Sequence, residues 1–241
     1  MSSVFKFYAP KQHYFDTLSN ERVNFSYPCH LNDEFESASY LIDPYEHFCE
    51  EIGWSDGLKG MFEKHGIASF TNAPQSDWDI LWENYGNSGR GFAVEYDKES
   101  LKSLPEDLGI PVYLQDVDYC DERFNLDDFG KSFHINDESY TIQQCIEDYR
   151  SGDPKPIDRL FQYLRLIKDK KIWGSEQESR MIIGNLNKST YLYPGEYGYE
   201  LKLPPNTIRS VIVGKNMAEA DKSILKGIAK QHKFNVIDNR K

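Results

Sequence analysis

Two carboxylates and one guanidinium fall at alternate positions in Trp173-Gly174-Ser175-Glu176-Gln177-Glu178-Ser179-Arg180. An extended chain turns alternate side chains to the same face, so a strand beginning at Glu176 brings Glu176, Glu178 and Arg180 together. A carboxylate beside an arginine stays ionised, and accepts hydrogen bonds from sugar hydroxyls or stabilises a developing cation. Trp173, in the loop before, offers a planar face for stacking. The same spacing also describes a solvent-facing ladder of ion pairs with no chemistry. Ser69 and Thr71 share one face of a second strand, which ends in the turn Asn72-Ala73-Pro74. Hydroxyls there can orient a carboxylate or line a ribose pocket, and are equally ordinary strand-edge residues. A third group runs from Asp77 to Gly86. Trp78 and Trp82, four apart on one helix face, read as core, while Asn84 and Tyr85 stand where glycines end the helix and a pocket can open.

Two other chemistries leave no signature: Walker and HExxH patterns are absent. Gly86, Gly89 and Gly91 precede a strand, whereas a dinucleotide fingerprint follows one. The histidines at 13, 30, 47, 65, 134 and 232 are scattered. Cys29-His30 and His47-Phe48-Cys49 match no standard zinc spacing, so no metal site is expected.

The elements that must position these residues come in mixed order. Alternation predicts strands over Val4–Tyr8, Arg22–Ser26, Gly66–Thr71, Phe92–Tyr96, Pro111–Tyr119, Glu178–Gly184, Tyr199–Leu203, Ser210–Gly214 and Asn235–Ile237. Helical spacing predicts helices from Pro10 to Asn20, from Tyr45 to Glu63, after an Asp77 cap, over Ile157–Ile167, and over Met217–Ile228. Leu31–Glu36 reads as an acidic turn. Residues 121–155 form a polar, weakly patterned insertion, the expected mobile segment, with some helix near Thr141–Tyr149. The sum is one α+β domain over 1–241, not a doubly wound parallel sheet.

Aromatics make up 14% of the 241 residues, with 16 Tyr, 14 Phe and 4 Trp, enough for a substantial core with polar edges. The net charge of -11 repels phosphate backbones, so nucleic acid is not expected as a general ligand. The basic run Lys168-Asp169-Lys170-Lys171 reads as a solvated helix end. No signal sequence and no membrane-length apolar run is evident, and unpaired cysteines suit a cytoplasmic protein.

The order of motifs resembles a bacterial family of unknown function. Shared are a strand like Phe5-Lys6-Phe7, the turn Leu31 to Glu36 (Glu34 standing for proline), Ser69-Phe70-Thr71, Leu81-Trp82-Glu83-Asn84-Tyr85, Gly91-Phe92-Ala93-Val94, and Trp173 to Arg180. That family is distantly similar to NAD-dependent ADP-ribosyltransferases. The resemblance implies a split β-core with flanking helices and NAD as substrate, cleaved at the nicotinamide–ribose bond. ADP-ribose would pass to a protein or nucleic-acid acceptor. By the same resemblance Glu178 stabilises the oxocarbenium-like transition state and Glu176 positions or deprotonates the acceptor. Ser69, Thr71, Lys6, Tyr85, Trp173 and Arg180 are the candidates to bind the donor, with Trp173 to Ser175 in the substrate-reading loop. The arginine-using class carries an arginine on the first strand; here Lys6 and Tyr8 stand there, and lysine lacks the bidentate fork. Arg22 and Arg90 are the reserve cations. Two other readings stay open: a non-catalytic binding module of stress or phage defence, and a hydrolase or nuclease using Glu178 with a divalent metal.

Overall fold

The computed structural model describes residues 2–31, 33, 36–109, 112–184, 191–195 and 198–239. Strand β1 (Ser3–Tyr8) leads through α1 (Gln12–Ser19) to β2 (Arg22–Ser26). Three short helices, α2 (Ala38–Leu41), α3 (Glu46–Ile52) and α4 (Asp56–Glu63), precede β3 (Gly66–Thr71). Helix α5 (Asp79–Asn84) precedes β4 (Phe92–Asp97), and α6 (Lys98–Leu108) precedes β5 (Tyr113–Asp116) and β6 (Asp118–Cys120). A hairpin, β7 (Ser132–Ile135) and β8 (Glu138–Thr141), feeds α7 (Ile142–Arg150) and α8 (Lys155–Leu164). Then come β9 (Ile167–Asp169), α9 (Lys170–Trp173), β10 (Glu178–Ile183), β11 (Leu192–Pro194), β12 (Gly198–Lys202), β13 (Ile208–Val213), α10 (Glu219–His232) and β14 (Asn235–Asp238).

The fold is α+β, as alternation and helical spacing predict. Ten strands among the described residues form one sheet, antiparallel except where β14 joins β13. The sheet is split at β3. One edge of β3 pairs along its whole length with β10, from Gly66↔Ile183 to Thr71↔Glu178. On the other edge Thr71 pairs with Phe5 of β1, while Ile67 pairs with Ser26 of β2. The two strands thus diverge from opposite ends of β3, and among the described residues no strand pairs with the middle of that edge.

Burial follows the period of two. Ala68 and Phe70 of β3, with Met181 and Ile183 of β10, turn into one core shared with α1, α6 and α10. Ile182 turns the other way, into a second core built by α2 to α4, α7 and α8. Glu178 and Arg180 share that second face. A third, smaller core anchors α5: Trp78 meets the Phe5 and Phe7 rings edge-on at 4.7 and 5.2 Å, and Trp82 meets Phe7 at 4.8 Å. Each buried indole contributes on the order of 2–3 kcal/mol, enough to fix the helix end that carries Tyr85.

Several expectations are corrected. The helix over Tyr45–Glu63 is two helices, because Gly53 takes a left-handed φ of 61° that ends α3. Asp77 caps nothing: it lies in a 3-10 turn, Gln75–Asp77, and α5 starts after Trp78. The strand over Pro111–Tyr119 is β5 and β6, interrupted at Val117, and Pro111 lies outside the described residues. Helix α6 was not expected from the pattern. Ile167 belongs to β9, not to the preceding helix. Residues 121–153, expected to be mobile, carry the hairpin and α7 and bury Leu126, Phe133, Ile135, Ile142 and Ile146 in the second core. Their apolar residues are divided between a strand period and a helix period, so neither dominates the sequence. Within the acidic turn, Asn32, Glu34 and Phe35 lie outside the described residues.

Candidate active site

The split in the sheet opens into a cleft of about 390 Å³. Lys6 lies at the split, where its Nζ donates to the Ser69 carbonyl at 3.2 Å, an acceptor that neither β1 nor β2 pairs with among the described residues. Its ammonium also lies over the Tyr8 and Phe70 rings, at 5.7 and 5.9 Å. Burial lowers the Lys6 amine to about 8, against the upward pull of Glu178.

Thr71 ends β3 as a clamp. Its hydroxyl donates to the Glu176 carbonyl at 2.7 Å and accepts from the Ala73 amide at 2.9 Å. The turn after β3 is thereby tied to the turn before β10. Glu176 is not in a strand, as the alternation had implied. It closes a 3-10 turn, Gly174–Glu176, and Gln177 then takes a left-handed φ of 44° before β10 starts at Glu178. Glu176 still enters the cleft, because Tyr85 donates to its Oε1 at 2.5 Å and Lys168 to its Oε2 at 3.1 Å.

Glu178 and Arg180 do share a strand face. Arg180, 2% exposed, spreads its guanidinium over three acceptors. Its Nε donates to Glu178 Oε1 at 2.8 Å, one Nη to the Arg165 carbonyl at 2.6 Å, and the other to Glu36 Oε1 at 2.5 Å. Lys168 donates to Glu178 Oε2 at 3.1 Å, and the Glu178 amide donates to the Tyr119 hydroxyl at 2.9 Å. Burial by itself raises a carboxyl pKa. Here Arg180 and Lys168, with hydrogen bonds from Arg180 and Ser69, outweigh burial and hold Glu178 at about 2. Burial alone would lower Arg180; Glu178 and Glu36 raise it above its ordinary range. Burial, followed by the Glu176 charge, raises the Tyr85 hydroxyl, which stays a donor.

All eight residues singled out from sequence line this one cleft: Lys6, Ser69, Thr71, Tyr85, Trp173, Glu176, Glu178 and Arg180. The reserve arginines do not. Arg22 pairs with Glu200 at 3.1 Å and lies over Tyr193 at 3.6 Å, and Arg90 is not among the cleft residues. Three participants were missed. Lys168, read as solvated, is buried and lies 4.4 Å from the Trp173 ring centre. The strand β9 points it inward while Asp169, Lys170 and Lys171 stay exposed. Glu36 is buried, with Oε2 making no hydrogen bond among the described residues. Its place at the end of the acidic turn motif was the available signal. Tyr119 had none beyond its strand. Arg180 pairs with Glu36 and Glu178, and Lys168 with Glu176 and Glu178. That pairing makes these buried charges tolerable.

Residues 81–181 match the family described as protein of unknown function (DUF2971). The matched stretch carries Tyr85, Lys168, Trp173, Glu176, Glu178 and Arg180, and the resemblance to a family of unknown function stands on it. Among curated proteins, none matches the chain. Among solved structures, Thermus sp. 2.9 DarT in complex with ADP-ribosylated ssDNA is similar at 11% identity and a TM-score of 0.36, over 99% of this chain and 94% of that one. A TM-score of that size leaves fold and chemistry to be argued from the chain's own residues. No helix among the described residues is long and apolar enough to cross a membrane.

Proposed function

We propose that the cleft takes NAD as substrate and breaks its nicotinamide–ribose bond, passing ADP-ribose to a protein or nucleic-acid acceptor. The observation that carries this reading is Glu178, a buried carboxylate held ionised in the cleft. As the C1′–N bond breaks, its electron pair leaves with neutral nicotinamide and the ribose gains oxocarbenium character. A fixed anion in a water-poor site stabilises that charge far better than one in water. The acceptor nucleophile then bonds to C1′ and gives its proton to Glu176. The volume lies within the roughly 300–1,000 Å³ of small-molecule sites. Trp173 and Tyr85 supply aromatic faces, and the buried Trp173 Nε1, without a partner among the described residues, is a donor left for a ligand. Lys6, which lines the cleft, supplies a cation for a phosphate.

The test is nicotinamide release from NAD by the purified protein, followed by chromatography, with Glu178→Gln as control. Wild-type protein that consumes no NAD at any acceptor tried ends the proposal. One observation favours a non-catalytic binding module instead. Both Glu178 oxygens and every Arg180 nitrogen are already engaged, as in a structural ion network beneath Trp173. Thermal stabilisation by NAD without turnover would select that second reading.

A further inference from the structure

The two glutamates reach the cleft by different means. β10 places Glu178 by strand geometry, with its backbone paired to Thr71. Glu176 belongs to a tight turn followed by a left-handed residue, and its carboxylate is held only by the side chains of Tyr85 and Lys168 among the described residues. Lys168 is the group common to both. Its Nζ stands 3.1 Å from one oxygen of each glutamate, 3.9 Å from Glu36 Oε1 and 4.4 Å from the Trp173 ring centre. At 7% exposure it has little water to choose instead.

Lys168 arrives on a separate platform. β9 pairs in parallel with β6, and the register sets Tyr119 beside Lys168. That single cross-strand pair grips Glu178 twice, the Tyr119 hydroxyl at its amide and the Lys168 ammonium at its carboxylate. The chain then runs directly from β9 into the helix ending at Trp173.

We propose that Lys168 is a positioning residue whose ammonium ties the Glu176 and Glu178 carboxylates at one fixed separation, setting acceptor against donor. Its effect on turnover rests on the NAD-cleaving reading above; its effect on the carboxylates does not. Two carboxylates sharing one ammonium repel when that ammonium is removed, and the looser one, Glu176, swings away. Misplacement by an ångström costs on the order of a hundredfold in rate, so Lys168→Met should lower kcat by about that factor while KM for NAD changes by less than about threefold. Lys168→Arg keeps the charge and should restore part of the loss. The Glu178 carboxyl, followed by NMR on glutamate labelled at the side-chain carboxyl and assigned with Glu178→Gln, should titrate at higher pH in Lys168→Met.

A second variant guards against a Lys168→Met protein that does not fold. Lys168→Met with Glu176→Gln removes one negative charge along with the cation. Since Lys168 acts through Glu176, this double variant should match Glu176→Gln alone in transfer activity. A kcat for folded Lys168→Met within about twofold of wild type overturns the proposal, as does a double variant that loses the product of the two single effects. An unmoved Glu178 titration overturns it as well. If wild-type protein releases no nicotinamide, the NAD reading falls, and the carboxyl titration alone still decides whether Lys168 governs the pair.

Discussion

Replacing Glu178 by glutamine keeps the side chain's size and removes the charge around which the cleft is arranged. In the folded chain this carboxyl titrates near 2, against an ordinary 4.5. That difference corresponds to about 3 kcal/mol of stability. The folded value is the lower one, so the contribution is present in full above the unfolded pKa of 4.5 and is lost as pH falls towards 2. Glutamine forfeits it at every pH and leaves Lys168 and Arg180 with one buried partner fewer. In a domain this size about 1 kcal/mol moves Tm by roughly 2–4 °C, so the variant should melt roughly 6–12 °C lower at neutral pH. The gap should narrow as the medium is acidified below 4.5, because wild type then loses the same contribution. Nicotinamide release should fall at least about a hundredfold, about 2.7 kcal/mol in barrier. Melting curves across pH and a nicotinamide assay on matched, folded protein measure both. Wild-type turnover in the variant refutes the role in donor activation; a melting gap indifferent to acid refutes the electrostatic account.

Glu176→Gln should lose transfer to the acceptor by about a hundredfold or more yet keep some NAD hydrolysis, since water replaces the acceptor; equal loss of both activities would merge the two glutamates into one role. Thr71→Val strips the hydroxyl that joins Glu176 to Ala73. It should cost about 1–3 kcal/mol, read from the urea midpoint, and an unchanged midpoint would mean the clamp is dispensable. Lys6 carries its charge below about 8 and loses it above. If it holds a substrate phosphate, KM for NAD should climb as pH passes that value, and Lys6→Met should show a high KM without the step. A wild-type KM that stays flat through this range removes Lys6 from phosphate binding.

Most of the regular structure was legible because it is written locally. Alternation marked β1 to β4, β10 and β12 to β14, and the four-residue spacing of Trp78 and Trp82 marked the helix end that presents Tyr85. Glu178 and Arg180 on one face follow from a period of two and need no tertiary knowledge. The unread parts depend on partners far along the chain. Glu178 lies opposite Thr71 across 107 positions of sequence, and nothing local says that β3 will lend one edge to β10 and leave the other divided between β1 and β2. Glu176 looked extended because the backbone break at Gln177 is enforced from outside, by the Thr71 hydroxyl and the pairing of the next residue. Lys168 looked solvated because a charged run is silent about which member points inward; its burial becomes affordable only where Glu176 and Glu178 neutralise it. Sequence periodicity thus determined which side chains share a face. Only the tertiary pairing of β3, β9 and β10 decided that those faces meet, since a buried charge is stable solely against counter-charges that distant segments bring to it.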